Sequence, residues 1–143
     1  MPAGSHRYRQ FAQQALLKTA SSAAPSSTHV ADAFRILRDR LTRTLVPIFG
    51  PVAIDALFER SVLLATDEAS WLAAVMSATA EKTPDLSKIP AQATGDSVLG
   101  AFTAVIAYDI GLLVEFVGED LILPLVQKAW GPIGHLPMSG ESD

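Results

Sequence analysis

Three charged side chains stand in apolar stretches of the sequence: Arg60, Asp109 and Glu115. Asp109 lies in the most apolar segment of the chain, and a carboxylate buried in such surroundings must be paired, hydrogen-bonded or protonated. Arg60 is the only basic residue between Arg43 and Lys82. We therefore predict that Arg60 meets Asp109 or Glu115 in a buried or half-buried ion pair.

Two functional interpretations of these three residues are open besides a structural ion pair. A buried ion pair is purely structural, whereas the same groups facing a cleft would hold a ligand. In a wet cleft they would form a simple acid–base enzyme site, which requires carboxyl groups with perturbed pKa values. The structural pair is the interpretation that we favour.

The sequence holds no other pattern typical of catalysis. It has no cysteine, which excludes a disulfide framework, a thiolate metal site and a cysteine nucleophile. His6, His29 and His135 are scattered and lack partners at metal-ligand spacing. No Gly-x-Ser-x-Gly elbow or glycine-rich phosphate loop occurs, and the acidic pair at 119–120 is typical of a helix start. We predict no catalytic, cofactor-binding or metal-binding residue.

Composition indicates one folded domain. The chain has 143 residues, of which 49% are apolar and 18% charged, so it is not an intrinsically disordered protein. Residues 1–60 carry eight basic and four acidic residues, and residues 61–143 carry three and eleven. Nucleic-acid binding usually shows a stronger basic excess than this. We therefore do not expect a nucleic-acid partner.

Apolar residues recur with a period near 3.6 from Ala31 onward, which predicts helices. Pro47 is expected to end or kink the first of them, and Gly50 separates it from a second helix with a continuation over 68–80. After a Pro- and Gly-containing break at 83–96, we expect Asp96 to cap a helix over 97–117. Gly118 then supplies a left-handed cap before a last helix over 120–130. No period-two alternation predicts a strand.

The run 98–117 is long enough to span a membrane. It contains Asp109 and Glu115, which are costly in hydrocarbon, and it lacks flanking positive charges. We expect a buried core helix rather than a transmembrane segment, with Gly100 as a point of close packing.

Three regions follow from these patterns. Residues 1–28 are predicted to be a flexible N-terminal tail with a short amphipathic helix over 7–19, and residues 29–131 a helical bundle. Residues 132–143 are predicted to be a disordered C-terminal tail. The first region is rich in Arg and Ser and has no acid. This composition leaves open a tail, a docking helix and a targeting segment.

The chain resembles itself at a shift of 68 residues. Ala33-Phe34 falls on Ala101-Phe102, Leu45-Val46 on Leu113-Val114, and Gly50 on Gly118. A repeated unit, which consists of a long helix, a glycine and a second helix, would explain this internal similarity. The sequence therefore predicts an all-α fold, a four- to six-helix bundle built from two helix–Gly–helix units with a pseudo-twofold axis.

A family of small bacterial helical proteins without an assigned function shares several of these features. The shared residues include Leu45-Val46, Gly50, Ala56-Leu57, Arg60, Leu64-Ala65, Trp71-Leu72, Leu112-Leu113-Val114, Phe116-Val117-Gly118-Glu119, Leu121, Leu125 and Ala129-Trp130. The chain resembles that family over about residues 30–131. It departs from the pattern at Ala69-Ser70, where the family has a proline, and at Pro124, where a polar residue is usual. The resemblance implies a bacterial helical domain and no catalytic residues.

The sequence is compatible with two functions. We expect a non-enzymatic interaction or scaffolding module, homodimeric or bound to another protein, in a cytoplasmic regulatory or signalling assembly. The alternative is a helical bundle that binds a small molecule or lipid. Trp71, Phe102, Phe116 and Trp130 are the aromatic residues expected to line a cavity or an interface.

Overall fold

A computed structural model describes residues 8–21, 26–77 and 86–131. These residues are 84% helical and contain no strand, which confirms the predicted all-α bundle. The helices are α1 (Arg9–Ala20), α2 (Ser27–Phe49), α3 (Pro51–Ala65), α4 (Leu72–Ser77), α5 (Gly95–Val117) and α6 (Glu119–Trp130), with a short 3₁₀ turn at Leu86–Lys88.

Two helix–Gly–helix units form the body of the bundle. Helices α2 and α5 are both 23 residues long and begin 68 residues apart. Their N-caps are also 68 residues apart: Ser26 accepts a hydrogen bond from the N–H of His29, and Thr94 accepts one from Ser97. Asp96 was predicted to be the cap of α5 but lies inside the helix, because Thr94 and Ser97 form a reciprocal capping box.

Each long helix ends at a glycine with the same backbone conformation. Gly50 has φ 88° and ψ 154°, and Gly118 has φ 102° and ψ 149°. Only glycine adopts these angles readily. The predicted cap at Gly118 is therefore a residue of positive φ, but its ψ lies outside the left-handed helical region. The angles turn the chain directly into the next helix.

The prolines interrupt the helices less than the sequence suggested. Helix α2 continues through Pro47 to Phe49, so Pro47 does not end the helix, which was one of the two predicted effects. Pro47 lies in the last turn, where its missing N–H removes a single backbone hydrogen bond shortly before Gly50 ends the helix.

The two long helices run side by side in the same direction. Three contacts join them in the same order along both helices: Phe34 with Phe102, Arg38 with Asp109, and Phe49 with Phe116. Both glycine turns therefore lie at one end of the bundle. Helix α3 packs on α5, and α6 packs on α2. An approximate twofold axis between the long helices would generate this arrangement.

Helix α5 forms the centre of the core. Every residue from Ala101 to Gly111 is buried. Among the described residues, α5 is the one helix long and apolar enough to cross a membrane, and 78% of its most apolar window is buried inside the bundle. Gly100 was expected to be a close-packing point, but it is exposed and a Cβ there would meet no atom within 4 Å.

Helix α1 is part of the bundle. Its face of Phe11, Ala12, Ala15 and Leu16 is buried, and the helix packs against α2 and α5. The domain boundary predicted at residue 29 is therefore too late, since both α1 and the start of α2 precede it. The apolar spacing did predict the helix, but nothing in the sequence showed which surface receives it. The tail predicted at 132–143 and part of the helix predicted over 68–80 lie outside the described residues.

Candidate functional site

The most buried charged group is Asp109, whose side chain is 1% exposed. Arg38 grips it with two hydrogen bonds: Nε donates to Oδ2 at 3.1 Å and Nη2 donates to Oδ1 at 3.0 Å. Such a bidentate pair is the strongest common form of ion pair in proteins. The parallel course of α2 and α5 brings the two residues to the same level of the core.

Arg38 has further partners that hold its side chain in place. Nη2 also donates to the Phe58 carbonyl oxygen at 3.0 Å. The guanidinium carbon lies 4.1 Å from the centre of the Phe58 ring and 5.2 Å from that of Phe34. Aromatic faces attract a cation, so Arg38 keeps favourable contacts besides those to the carboxylate. Its side chain is 15% exposed.

Burial raises the pKa of the Asp109 carboxyl above its usual range. The charge and the hydrogen bonds of Arg38 act in the opposite direction and lower the pKa, as does the hydroxyl of the buried Ser61 on α3. Loss of solvation is the largest influence, so the net effect is a raised pKa.

The predicted partner of Asp109 was wrong. Arg60 and Glu115 are both exposed, and Asp109 pairs with Arg38 instead. The isolation of Arg60 in the sequence indicated burial, but α3 is apolar on its outer face as well as its inner one. The pattern of α2 does indicate Arg38 as a partner for a buried acid, because Arg38 follows Phe34 by four residues and lies on the edge of the apolar stripe.

This ion pair occurs in only one of the two pseudo-equivalent places. A shift of 68 residues places Arg38 on Ile106 and Leu41 on Asp109. Ile106 and Leu41 are each 1% exposed. The pseudo-equivalent pair between the same two helices, Leu41 of α2 and Ile106 of α5, is thus apolar.

The four predicted aromatic residues have separate environments. Phe102 is fully buried, with its ring centre 4.7 Å from that of Phe34 and 6.4 Å from that of the half-buried Trp71. Trp130 stacks on Phe11 at 5.8 Å and donates from Nε1 to the Leu37 carbonyl oxygen at 2.8 Å. Phe116 is 66% exposed. Three of the four therefore contribute to core packing, and Phe116 lies at the surface.

A second polar cluster attaches the N-terminal helix to the body. The Tyr8 hydroxyl donates to Glu119 at 2.7 Å, and Arg9 forms an ion pair with Glu68. The Arg9 guanidinium also lies near the ring of Tyr108. The hydrogen bonds of Arg9 lower the pKa of Glu68. Sequence analysis missed this cluster, because its members are far apart in the chain.

Both polar clusters join parts of the chain that are far apart in the sequence. Both oxygens of Asp109 accept hydrogen bonds from Arg38, which leaves the carboxylate as an anchor for the guanidinium. Within residues 8–21, 26–77 and 86–131, no group of three or more His, Asp and Glu side chains could hold a metal ion. The arrangement is suited to fixing α2 against α3 and α5.

The surface carries several large apolar side chains. The most exposed is Val52 at 82%, followed by Leu63 at 67% and Phe116 at 66%; Ile48 and Leu121 are about half exposed. Four of them lie within three residues of a glycine turn: Ile48, Val52, Phe116 and Leu121. Val52 and Leu63 lie on the outer face of α3. Exposed apolar residues that recur along one helix are typical of an interaction surface.

Comparison with known proteins gives no further direction: no family model, no curated protein and no solved structure matches this chain.

Proposed function

We propose that the protein is a non-enzymatic helical interaction module that acts through self-association or by binding another protein. The observation that carries this proposal is the apolar outer surface of α3, where Val52 is 82% and Leu63 is 67% exposed. Water-exposed apolar area of this kind is stabilised when another protein surface covers it.

The buried ion pair supports a structural framework behind that surface. Arg38 and Asp109 satisfy each other inside the core, and Asp109 is 1% exposed, so a substrate would have to displace a bidentate contact to reach it. Their arrangement favours a scaffold over an acid–base enzyme.

The core aromatic contacts favour the same function over a ligand-binding bundle. Phe102 and Trp130 contact other rings at 4.7 Å and 5.8 Å, and the indole N–H of Trp130 already donates to a backbone carbonyl. These contacts use the groups that would otherwise orient a ligand.

The proposed setting is a bacterial regulatory or signalling assembly in the cytoplasm. The bacterial origin rests on the family resemblance. The absence of cysteine fits a reducing compartment.

Native mass spectrometry of the protein, purified gently from its natural host, tests this function. We expect the mass of a homodimer or of a complex with another protein. A retained non-protein mass would support the ligand-binding bundle instead. A bare monomer at all concentrations, with no co-purifying protein, would contradict the proposal.

A further inference from the structure

We infer that the turn end of the bundle, which is the end at Gly50 and Gly118, binds a basic amphipathic helix of another protein. Such a helix carries lysine or arginine on one face and large apolar side chains on the other. The inference rests on the proposed function and adds a second surface and the chemistry of its partner.

Exposed apolar side chains gather at the turn end. Phe116 is 66%, Ile48 53% and Leu121 47% exposed. Phe116 and Ile48 are 68 residues apart, and each lies two residues before its glycine. The ring centre of the half-buried Phe49 lies 6.3 Å from that of Phe116, so the exposed ring continues an apolar surface between the two long helices. Apolar area of this kind is stabilised when a partner covers it.

The two stretches of chain that form the turn end hold acids and no bases. Neither Lys, Arg nor His occurs between Arg43 and Arg60, or between Lys88 and Lys128. The acidic residues within five positions of a turn glycine are Asp55, Glu115, Glu119 and Asp120. Two helices end here and two begin, so the partial charges of their dipoles offset one another. The acids therefore determine the sign of the charge that a partner meets.

Glu115 has a position that the fold itself does not explain. It lies in the last turn of α5, where a negative charge opposes the helix dipole. Glu115 and Asp120 are both exposed, and neither has an ion-pair or hydrogen-bond partner among the described residues. Asp120 at least favours its own helix, because it lies in the first turn of α6. A basic group of a partner would offset the unfavourable charge of Glu115.

The charge is concentrated on one side of the turn end. A shift of 68 residues places the acids of the second turn on uncharged residues of the first: Glu115 on Pro47, Glu119 on Pro51 and Asp120 on Val52. Residues 47–54 carry no charge, whereas residues 115–121 combine three acids with Phe116 and Leu121. The turn end is thus divided into an uncharged and an acidic side. An amphipathic helix with one apolar and one basic face has the matching division.

The bundle already holds one helix of this chemistry, which is its own α1. That helix has two basic residues and no acidic one. It is fixed by a buried apolar face and by the ion pair of Arg9 with Glu68. Tyr8, directly before α1, donates to Glu119, which is one of the acids of the turn end. Apolar contact together with basic groups facing acids would serve a second helix at Glu115 in the same way.

A second copy and a membrane match the turn end less well. Two turn ends facing each other would bring like charges together, which is destabilising. Anionic lipid headgroups would repel the same carboxylates. Glu115 adjoins Phe116, so insertion of the ring into a bilayer would carry a carboxylate toward the hydrocarbon at a high cost.

Fluorescence anisotropy with two labelled helical peptides tests the charge preference. The peptides are LKKLLKLLKKLLKL and its glutamate counterpart LEELLELLEELLEL, and we expect the natural chain to bind the first and not the second. Glu115→Lys should raise the Kd for the lysine peptide at least about tenfold. Asp96→Lys changes the net charge equally at the opposite, exposed end of α5 and should change the Kd by less than about twofold. Glu115→Lys favours the helix dipole, so it should not unfold the chain.

A second pair of variants tests the apolar contact. Phe116→Ser should raise the Kd for the lysine peptide at least about fivefold, because a large exposed ring is removed from the contact. Leu63→Ser is the matched control: Leu63 is 67% exposed and lies on α3 away from the turn end. It should change the Kd by less than about twofold.

The inference is overturned if the lysine peptide does not bind, or if Glu115→Lys and Asp96→Lys weaken its binding equally, since net charge alone would then explain the attraction. Binding to phosphatidylcholine vesicles that Phe116→Ser abolishes would overturn it in favour of a membrane. Native mass spectrometry separates this inference from the proposed function. A protein complex there, without peptide binding, would leave the interaction module in place and remove only the turn end as its surface.

Discussion

Arg38 and Asp109 depend on each other unequally. Arg38 has a carbonyl oxygen and two aromatic rings in addition to the carboxylate, whereas both oxygens of Asp109 accept their hydrogen bonds from Arg38. Arg38→Met should therefore reduce the free energy of unfolding by about 3–5 kcal/mol, as expected for a buried charge left without its counterion. Asp109→Asn should cost less, about 1–2 kcal/mol. Urea denaturation followed by circular dichroism measures both.

The molecule itself suggests the matching double variant. Arg38→Ile/Asp109→Leu would give this pair the residue types of its pseudo-equivalent pair, Ile106 and Leu41. We expect the double variant to be more stable than Arg38→Met, because neither charge remains buried. Arg60→Met, at an exposed position, should change stability by less than about 0.5 kcal/mol. Strictly additive losses in the double variant would show that the two side chains are not coupled.

The effect of Arg38→Met should also depend on pH. Because the pKa of Asp109 is raised in the folded state, the native chain keeps this proton at pH values where the unfolded chain has lost it, and stability falls as the pH rises above the ordinary aspartate value of 3.8. Removing Arg38 raises that pKa further. The loss of stability in Arg38→Met should be small near pH 3.8 and grow toward neutral pH in denaturation series. A loss that is equal at both ends of this range would contradict the pairing.

At the scale of single residues, the sequence predicted the existence of a buried acid but not its partner. Asp109 stood out because its whole segment is apolar. Arg38 did not, since Arg35, Arg40 and Arg43 surround it in the sequence and only the helical geometry separates it from them. Arg60 looked isolated because α3 has few charges, and this property follows from its outer face rather than from burial.

Among the elements, the glycines at the two turns should respond differently from the glycine within α5. Gly50→Ala and Gly118→Ala should each cost about 1–3 kcal/mol, because their φ values of 88° and 102° strain any other residue. Gly100→Ala should stabilise the protein by about 0.5–1 kcal/mol, since Gly100 is exposed within a helix and nothing obstructs a Cβ. Thermal unfolding of the three variants checks the opposite signs. Equal effects at Gly50 and Gly100 would contradict the assigned turn.

The first helix should contribute to global stability. Phe11 is 4% exposed and stacks on Trp130, so Phe11→Ala should cost about 3–5 kcal/mol. Gln14→Ala, on the exposed side of α1, should change stability by less than about 0.5 kcal/mol. Tryptophan fluorescence during urea unfolding provides the measurement. An unchanged midpoint for Phe11→Ala would mean that α1 does not contribute to the cooperative unit.

The helices themselves were largely predictable, since a 3.6-residue period and glycine turns are local properties. The shift of 68 residues also located both long helices and both turns. What the sequence did not provide was the position of α1, which depends on contacts such as Tyr8 with Glu119, 111 residues apart. The capping residue of α5 was misplaced by two positions, because Thr94, Asp96 and Ser97 are all suitable caps.

For the whole molecule, self-association should make thermal stability depend on concentration. A dimer that forms only from folded chains stabilises the native state by mass action. The midpoint of thermal unfolding should therefore rise with protein concentration for the natural chain. It should stay constant for Leu63→Lys, because a lysine on the outer surface of α3 would place a charge in the proposed contact. Differential scanning calorimetry over a hundredfold range of about 2–200 μM would show this, with Leu121→Lys as the control that should follow the natural chain. A midpoint independent of concentration in all three proteins would contradict self-association.

The contacts of α1 also constrain how the chain folds during synthesis. Residues 8–21 leave the ribosome long before Glu119 and Trp130, to which Tyr8 and Phe11 bind. At translation rates of about 5–20 residues per second, the roughly 110 residues in between take on the order of 5–20 s to make. During that time the apolar side of α1 lacks its partners on α6, although it can already meet α2. Part of the apolar side of the earliest helix is thus exposed to water until the last helix has been made.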